Sequence, residues 1–330
     1  MLKLFIAPVI TSILALLAVL WWGGLGAFFL ALMLAVLEIT LSFDNAVVNA
    51  KVLKDMPALW QRRFLTWGIL LSVVGTRLVL PIIIVSIVAA VSPIAITLLA
   101  FTNPDEYTRL LLGADASIKA FGGAFLLMVS LKFFFDIGKQ IHWIAVVERH
   151  LAKWGSIEAI EAALAMLMLV VLSFFSHDSA ATILRSGMIG IILFTVTEGV
   201  ANGLNVESKH VARSGAVMFV YLNLLDTAFS LDGVIGAFAL TTALPIIVVG
   251  LGIGAYFVRS LTVFLVRAKT LDTLKYLEHG AHWAIFGLAM AMFAGLVVHV
   301  PEALTAFIGL GFIALSYYSS RQDIKNKTLS

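Results

Sequence analysis

Long apolar stretches broken by short polar turns run through the whole chain. They predict ten helices, at about 4–22, 25–50, 64–90, 118–137, 158–175, 183–203, 212–238, 243–266, 279–298 and 300–318. Most approach or exceed the roughly 20 apolar residues that a helix needs to cross a bilayer. The region 92–117, with Asn103, Pro104, Asp105 and Glu106, reads as the longest loop. The predicted fold class is all-α, a polytopic membrane protein.

Composition strengthens this reading. Of 330 residues, 61% are hydrophobic and 12% charged, and the mean hydropathy is +1.05. Soluble domains carry about 25% charged residues, so a soluble chain of this composition would lack a polar shell. There is no cysteine, which excludes disulfides, thiolate metal sites and a cysteine nucleophile. No basic patch interleaves with aromatics on a soluble domain, so nucleic acid is not an expected partner. The first span is longer than a signal-peptide core, lacks a small-residue cleavage site, and is expected to be retained.

The basic residues give an orientation. Sixteen loop lysines and arginines fall on one side, among them Lys51, Lys54, Lys139, Arg149, Lys209 and Arg213. The other side receives only Arg109, Lys119 and Arg185, while Arg77, Lys132 and Arg259 lie within spans. The positive-inside rule then places both termini in the cytoplasm of a cell membrane, expected to be a bacterial inner membrane.

Two polar motifs recur inside the apolar segments. Glu38-Ile-Thr-Leu-Ser42-Phe-Asp44-Asn45 lies in the second span, and Asp226-Thr-Ala-Phe-Ser230-Leu-Asp232-Gly233 in the seventh. Both read acid, three residues, Ser, apolar, Asp. An arginine follows each in the next span, Arg77 and Arg259. The predicted topology directs the two spans oppositely, as in transporters built from inverted repeats. The expected division is an N-terminal helix (1–24), a three-helix repeat (25–140), a linker with two helices (141–210), an inverted three-helix repeat (211–298), and a C-terminal helix with its tail (299–330).

An acidic side chain at the bilayer centre costs about 2.5–3.5 kcal/mol on the mildest scale, so four of them call for partners or a function. On a regular helix Glu38, Ser42, Asn45 and Asn49 share one face, while Asp44 points about 240° away from Glu38. Two arrangements stay open. Either the helix is interrupted near Ser-x-Asp and both acids converge on one ion, which Gly233 and Gly236 would ease in the second copy. Or the helix is regular, and the Asp pairs with Arg77 or Arg259. Carboxylate, hydroxyl and amide oxygens suit hard divalent cations such as Mn²⁺, Ca²⁺ or Mg²⁺.

At these residues the chain resembles the TerC family of integral membrane proteins, grouped with LysE-type exporters. Glu38-x-x-x-Ser42-x-Asp44-Asn45 is similar to the family's first signature, and Asp226-x-x-Phe229-Ser230-x-Asp232 to its second. Trp67-Gly68 with Arg77 follows the same pattern, and Tyr276–Ile285 is similar to a stretch of a longer TerC-like branch. The resemblance covers about 25–140 and 212–300. It implies metal-ion export, since TerC relatives are linked to manganese efflux and, by name, to tellurium resistance. It also implies Glu38, Asp44, Asn45, Asp226 and Asp232 as ligands. Gly233 stands where the first copy has Asn45, so the second copy offers one ligand fewer.

Other polar residues form a second tier, expected either to build a second site or proton path or to be ordinary interfacial groups. These are Arg77 and Arg259 within spans, His177 and Asp178 at the outer end of span five, Glu198 and Asn202 one turn apart in span six, and His279 and His282. The last two are three residues apart, a spacing that can share a metal or relay a proton. Arg149, His150 and their neighbours read as a solvated loop.

The expected function is secondary transport of a divalent cation, Mn²⁺ first and Ca²⁺/H⁺ exchange as alternative. The chain has no Walker A pattern. An intramembrane metalloenzyme would need a general base beside an open metal position, and no His-Glu-x-x-His is present. A membrane scaffold linked to metal or tellurite stress is the third class. The expected partners are the cation and the bilayer, with a homodimer left open.

Overall fold

The computed structural model describes residues 3–206, 215–298 and 300–329. The basic pair Lys209 and Arg213 lies outside the described residues, as do the side chains of His177, Asn202 and Asp232. Every regular element among the described residues is helical.

The helices are α1 (Lys3–Leu41), α2 (Phe43–Lys54), α3 (Ala58–Leu70), a π-helical segment (Leu71–Val79), α4 (Leu80–Ala89), α5 (Pro93–Thr102), α6 (Pro104–Gly113), α7 (Asp115–Phe134) and α8 (Ala145–Trp154). There follow α9 (Ile160–Phe175), a 3₁₀ turn (His177–Ser179), α10 (Ala180–Val206), α11 (Gly215–Leu240), α12 (Leu244–Arg267), α13 (Thr270–Thr273), α14 (Leu277–Ala294) and α15 (Glu302–Leu329).

Among the described residues six helices are long and apolar enough to cross a membrane: Leu4–Leu41, Leu71–Ala89, Asp115–Phe134, Ala180–Gly199, Gly215–Phe238 and Leu244–Arg267. Large apolar side chains such as Leu14, Phe29 and Ile94 stand exposed on the outside, as the faces of a multi-pass membrane protein do. The segments expected at 4–22 and 25–50 are joined in α1, which bends at Gly24 with φ 73° and ψ −170°. Only glycine visits that backbone region readily. The bend leaves two arms, each near the length of a membrane crossing at about 1.5 Å per residue. The segments expected at 158–175, 279–298 and 300–318 correspond to α9, α14 and α15, which fall outside the six.

The stretch 92–117 is not a loop. Pro93 and Pro104 occupy first-turn positions of α5 and α6, where a missing N–H costs nothing. Ser92 and Asn103 cap the two helices by accepting N–H groups of Ala95 and Glu106.

Two apolar clusters make up most of the interior. One gathers α7, α9, α10 and α14 with Ala46–Val48 of α2. The other joins α1, α4–α6 and the start of α12. Helix α11 passes between them, giving Leu225, Ala228 and Phe229 to the first and Leu231, Val234 and Ile235 to the second. Asp226 and Ser230 sit at this crossing. On the other motif the boundary falls between Leu34 and Ala46, so Glu38–Asn45 lies at the same junction.

Candidate functional site

Both motifs are buried. Glu38, Ser42, Asp44, Asn45, Asp226 and Ser230 are each 5% exposed or less. The chain between α1 and α2 is interrupted at Ser42, with φ −100° and ψ 16°. The break is shallow, because Ser42 N–H still reaches the Glu38 carbonyl and Ala46 N–H the Ser42 carbonyl. In the second copy α11 continues unbroken through Ser230 and Gly233. The expected easing of a helix break by Gly233 is not realised. Gly233 instead makes room, since a Cβ there would stand 3.1 Å from Glu38 Oε2.

Each arginine pairs with the first acid of its motif, and in the first copy Arg77 forms no ion pair with Asp44 among the described residues. Arg77 Nη2 is bound to Glu38 Oε1, and Arg259 Nη2 lies 3.9 Å from Asp226 Oδ2. The π-helical segment explains how Arg77 is aimed. Its five-residue spacing stacks Ser72 directly against Arg77, whose Nη1 donates to Ser72 Oγ at 2.9 Å and to the Ser72 carbonyl. Arg259 donates to the Phe64 carbonyl and lies 3.9 Å over the Phe64 ring. Gly68 permits this approach, because a Cβ there would fall 1.9 Å from Arg259 Nη1.

The two copies also bond to each other. Arg77 Nη2 donates to Ser230 Oγ at 3.2 Å, and Ser42 Oγ donates to Glu38 Oε1 at 3.1 Å. Both serines therefore attach to one Glu38–Arg77 pair. Asn45 Nδ2 donates to Asp226 Oδ1 at 2.8 Å, and the hydroxyls of Thr76 and Thr227 lie 3.1 Å apart. Contacts run antiparallel: Asn45 meets Asp226 while Glu38 meets the Gly233 position. Mapping each copy onto the other turns one of these contacts into the other.

Asp44 accepts the backbone N–H of Asn45 at 2.8 Å and forms no ion pair among the described residues. Arg77 and Arg259 pair with Glu38 and Asp226, which leaves Asp44 without a basic partner among the described residues. Among the described residues no three His, Cys, Asp or Glu side chains lie close enough to hold a metal together. The oxygen set is thus mixed, with amides and hydroxyls beside the acids.

The other second-tier residues lie elsewhere. Asp178 is exposed within the 3₁₀ turn. Glu198 bonds Lys132 at 3.0 Å, with Glu161 at 3.9 Å from the same amine. His279 and His282 contact different partners. His282 stacks on Phe133 at 3.7 Å between ring centres, and its Nδ1 contacts the Glu278 carbonyl.

His279 faces Glu148, which sequence reasoning missed in a stretch read as solvated. Glu148 on α8 is completely buried. Its carboxylate meets His279 Nδ1 at 2.7 Å, accepts Trp283 Nε1–H at 3.0 Å, and takes the N–H groups of Trp143 and Ile144. Lys139 lies 3.7 Å away. Burial alone would push this acid up. The His279 bond and charge, the Trp283 bond and Lys139 outweigh it, holding the group at about 2. Burial draws the Lys139 amine down, partly offset by Glu148.

No curated protein and no solved structure matches the chain. A family model described as "Protein of unknown function (DUF475)" matches residues 43–328, a stretch that holds all of the site described above except Glu38 and Ser42, so the chain belongs to the DUF475 family.

Proposed function

We propose that the chain is a secondary transporter that exports a divalent cation, Mn²⁺ first, through a carboxylate site between two inverted three-helix repeats. One observation carries this reading: two copies of an acid–Ser–Asp motif, nearly two hundred residues apart, meet in one buried layer through Asn45–Asp226 and Glu38–Arg77–Ser230. The reciprocal contacts support an inverted repeat with its axis in the membrane plane. The TerC resemblance, the cytoplasmic placement of both termini and the ten crossings belong to the same proposal.

The division of labour follows from the pairing. Glu38 and Asp226 are held by arginines and shape the site. Asp44 and Asp232 carry the charge that a dication neutralises, so the loaded site crosses with little net charge. Asn45, Ser42 and Ser230 supply neutral oxygens. An enzyme would need one open metal position beside a general base, and a duplicated motif gives it no advantage, whereas alternating access uses both copies.

The test is manganese sensitivity in a strain lacking its own exporter, with protein measured in the membrane fraction. The unmodified chain should restore growth in excess Mn²⁺. Asp44→Asn and Asp232→Asn keep side-chain size, lose one charge each, and should abolish rescue at unchanged protein level. Full rescue by both variants would show that these carboxylates do not form the transport site.

A further inference from the structure

One helical turn beyond the Asn45–Asp226 contact, the α2–α11 interface holds more polar oxygen than its donors satisfy. Asn45 Nδ2 is spent on Asp226 at 2.8 Å, and Asn223 Nδ2 on the Phe219 carbonyl at 2.6 Å. These bonds fix both amides, because nitrogen must face the carboxylate and the carbonyl. Asn45 Oδ1, Asn49 Oδ1 and Asn223 Oδ1 are buried without a hydrogen-bond partner, as is Asp226 Oδ2, which faces the Arg259 guanidinium at 3.9 Å without a hydrogen bond. The Asn45, Asn49 and Asp226 side chains are among the most buried polar groups of the chain.

Spacing and register place these residues at neighbouring levels of the two helices. Asn49 follows Asn45 by four residues on α2, and Asn223 precedes Asp226 by three on α11, so each pair shares a helix face. The helices run antiparallel here, with Asn45 at Asp226 and, further along, Leu53 clustered with Met218 and Leu222. Asn49 and Asn223 occupy the layer between. On one side lies the motif site; on the other lies the apolar cluster of Leu53, Met56, Phe64, Met218 and Leu222.

Buried acceptors without donors cost stability unless a positive or donating species fills the space between them. With no sulfur or imidazole present, the chemistry selects a hard cation. We infer that Asn49 and Asn223, with the free oxygens of Asn45 and Asp226, form a second station for a divalent cation, one turn from the motif site and next to that apolar cluster. The inference rests on the transport reading for its place in a pathway. As a binding site it stands on the unpaired oxygens alone.

Mn²⁺ stoichiometry on the purified, detergent-solubilised chain, followed by the paramagnetic signal of free Mn²⁺, tests it. The unmodified protein should bind two ions. Asn49→Leu with Asn223→Leu, near-isosteric and free of unpaired acceptors, should keep the fold and bind one. Asp44→Asn should also bind one, losing the other ion. Asn49→Asp adds a carboxylate to the station and should tighten one of the two sites at least about tenfold, an outcome that does not depend on the leucine variants folding. Two ions retained by the double leucine variant, or no tightening by Asn49→Asp, would mean the oxygens hold water only and overturn the station. Two ions retained by Asp44→Asn, with one lost in the double variant, would instead overturn the motif site and leave the station intact. No Mn²⁺ bound by the unmodified chain would overturn both.

Discussion

Arg77 shows why single side chains matter so much in an apolar interior. Its guanidinium is 2% exposed and binds Glu38, Ser230 and Ser72 at once. Removing one member of such a pair strands a buried charge, at a cost of about 3–5 kcal/mol. Arg77→Gln alone should therefore lower the yield of folded protein sharply, as should Glu38→Gln alone. The double variant Arg77→Gln/Glu38→Gln removes both charges and should recover most of the stability. Thermal melting of the three variants in detergent checks this. Additive losses would mean that the pair is not coupled. The motif residues were legible because an acid, a serine and a second acid recur inside apolar segments where each is expensive. The pairing was not. A sequence tells that Arg77 and Arg259 need anions, yet which acid Arg77 takes depends on the π-helical register at Leu71–Val79.

Among the elements, α8 is where the sequence misled. Arg149, His150 and Lys153 look like a solvated loop, and nothing in the surrounding residues announces that Glu148 turns inward. Its partner His279 lies 131 residues further on, beyond the reach of any local pattern. In the same way Pro93 and Pro104 read as breakers but serve as helix starts. By contrast, the expected 243–266 and 158–175 fall within two residues of α12 and α9, because long apolar runs with clear ends leave little choice. The α8 clasp has a pH signature. Glu148 ordinarily titrates near 4.5 and is held at about 2 in the fold. A depressed acid stabilises fully above its unfolded pKa, and that stability is lost as pH falls from about 4.5 to about 2. The melting-temperature gap between the unmodified chain and Glu148→Gln should stay constant from pH 8 to about pH 5 and close below it. A gap that widens in acid would mean that Glu148 is not ionised in the fold.

For the whole molecule, the arrangement is two apolar clusters with a polar layer at their junction, and the layer is made by both halves of the chain. Each half pairs its own acid with its own arginine, and the halves are joined through the Asn45–Asp226, Arg77–Ser230 and Thr76–Thr227 hydrogen bonds. The orientation proposed from the loop charges has its own check. The chain has no cysteine, so a cysteine at Lys54 should resist an impermeant label in intact cells, while one at Asp105 should react. Labelling of the first and not the second would invert the topology. That the chain crosses a membrane was written plainly in its composition. What it carries was not, because oxygen ligands serve several hard cations equally well. The central claim, that the layer shared by the two motifs moves a divalent cation, is tested most directly by Mn²⁺ flux into proteoliposomes of the purified chain. The account predicts flux that saturates with Mn²⁺ and falls at least about a hundredfold in Asp44→Asn. Equal flux in protein-free vesicles, or undiminished flux in Asp44→Asn, would contradict it.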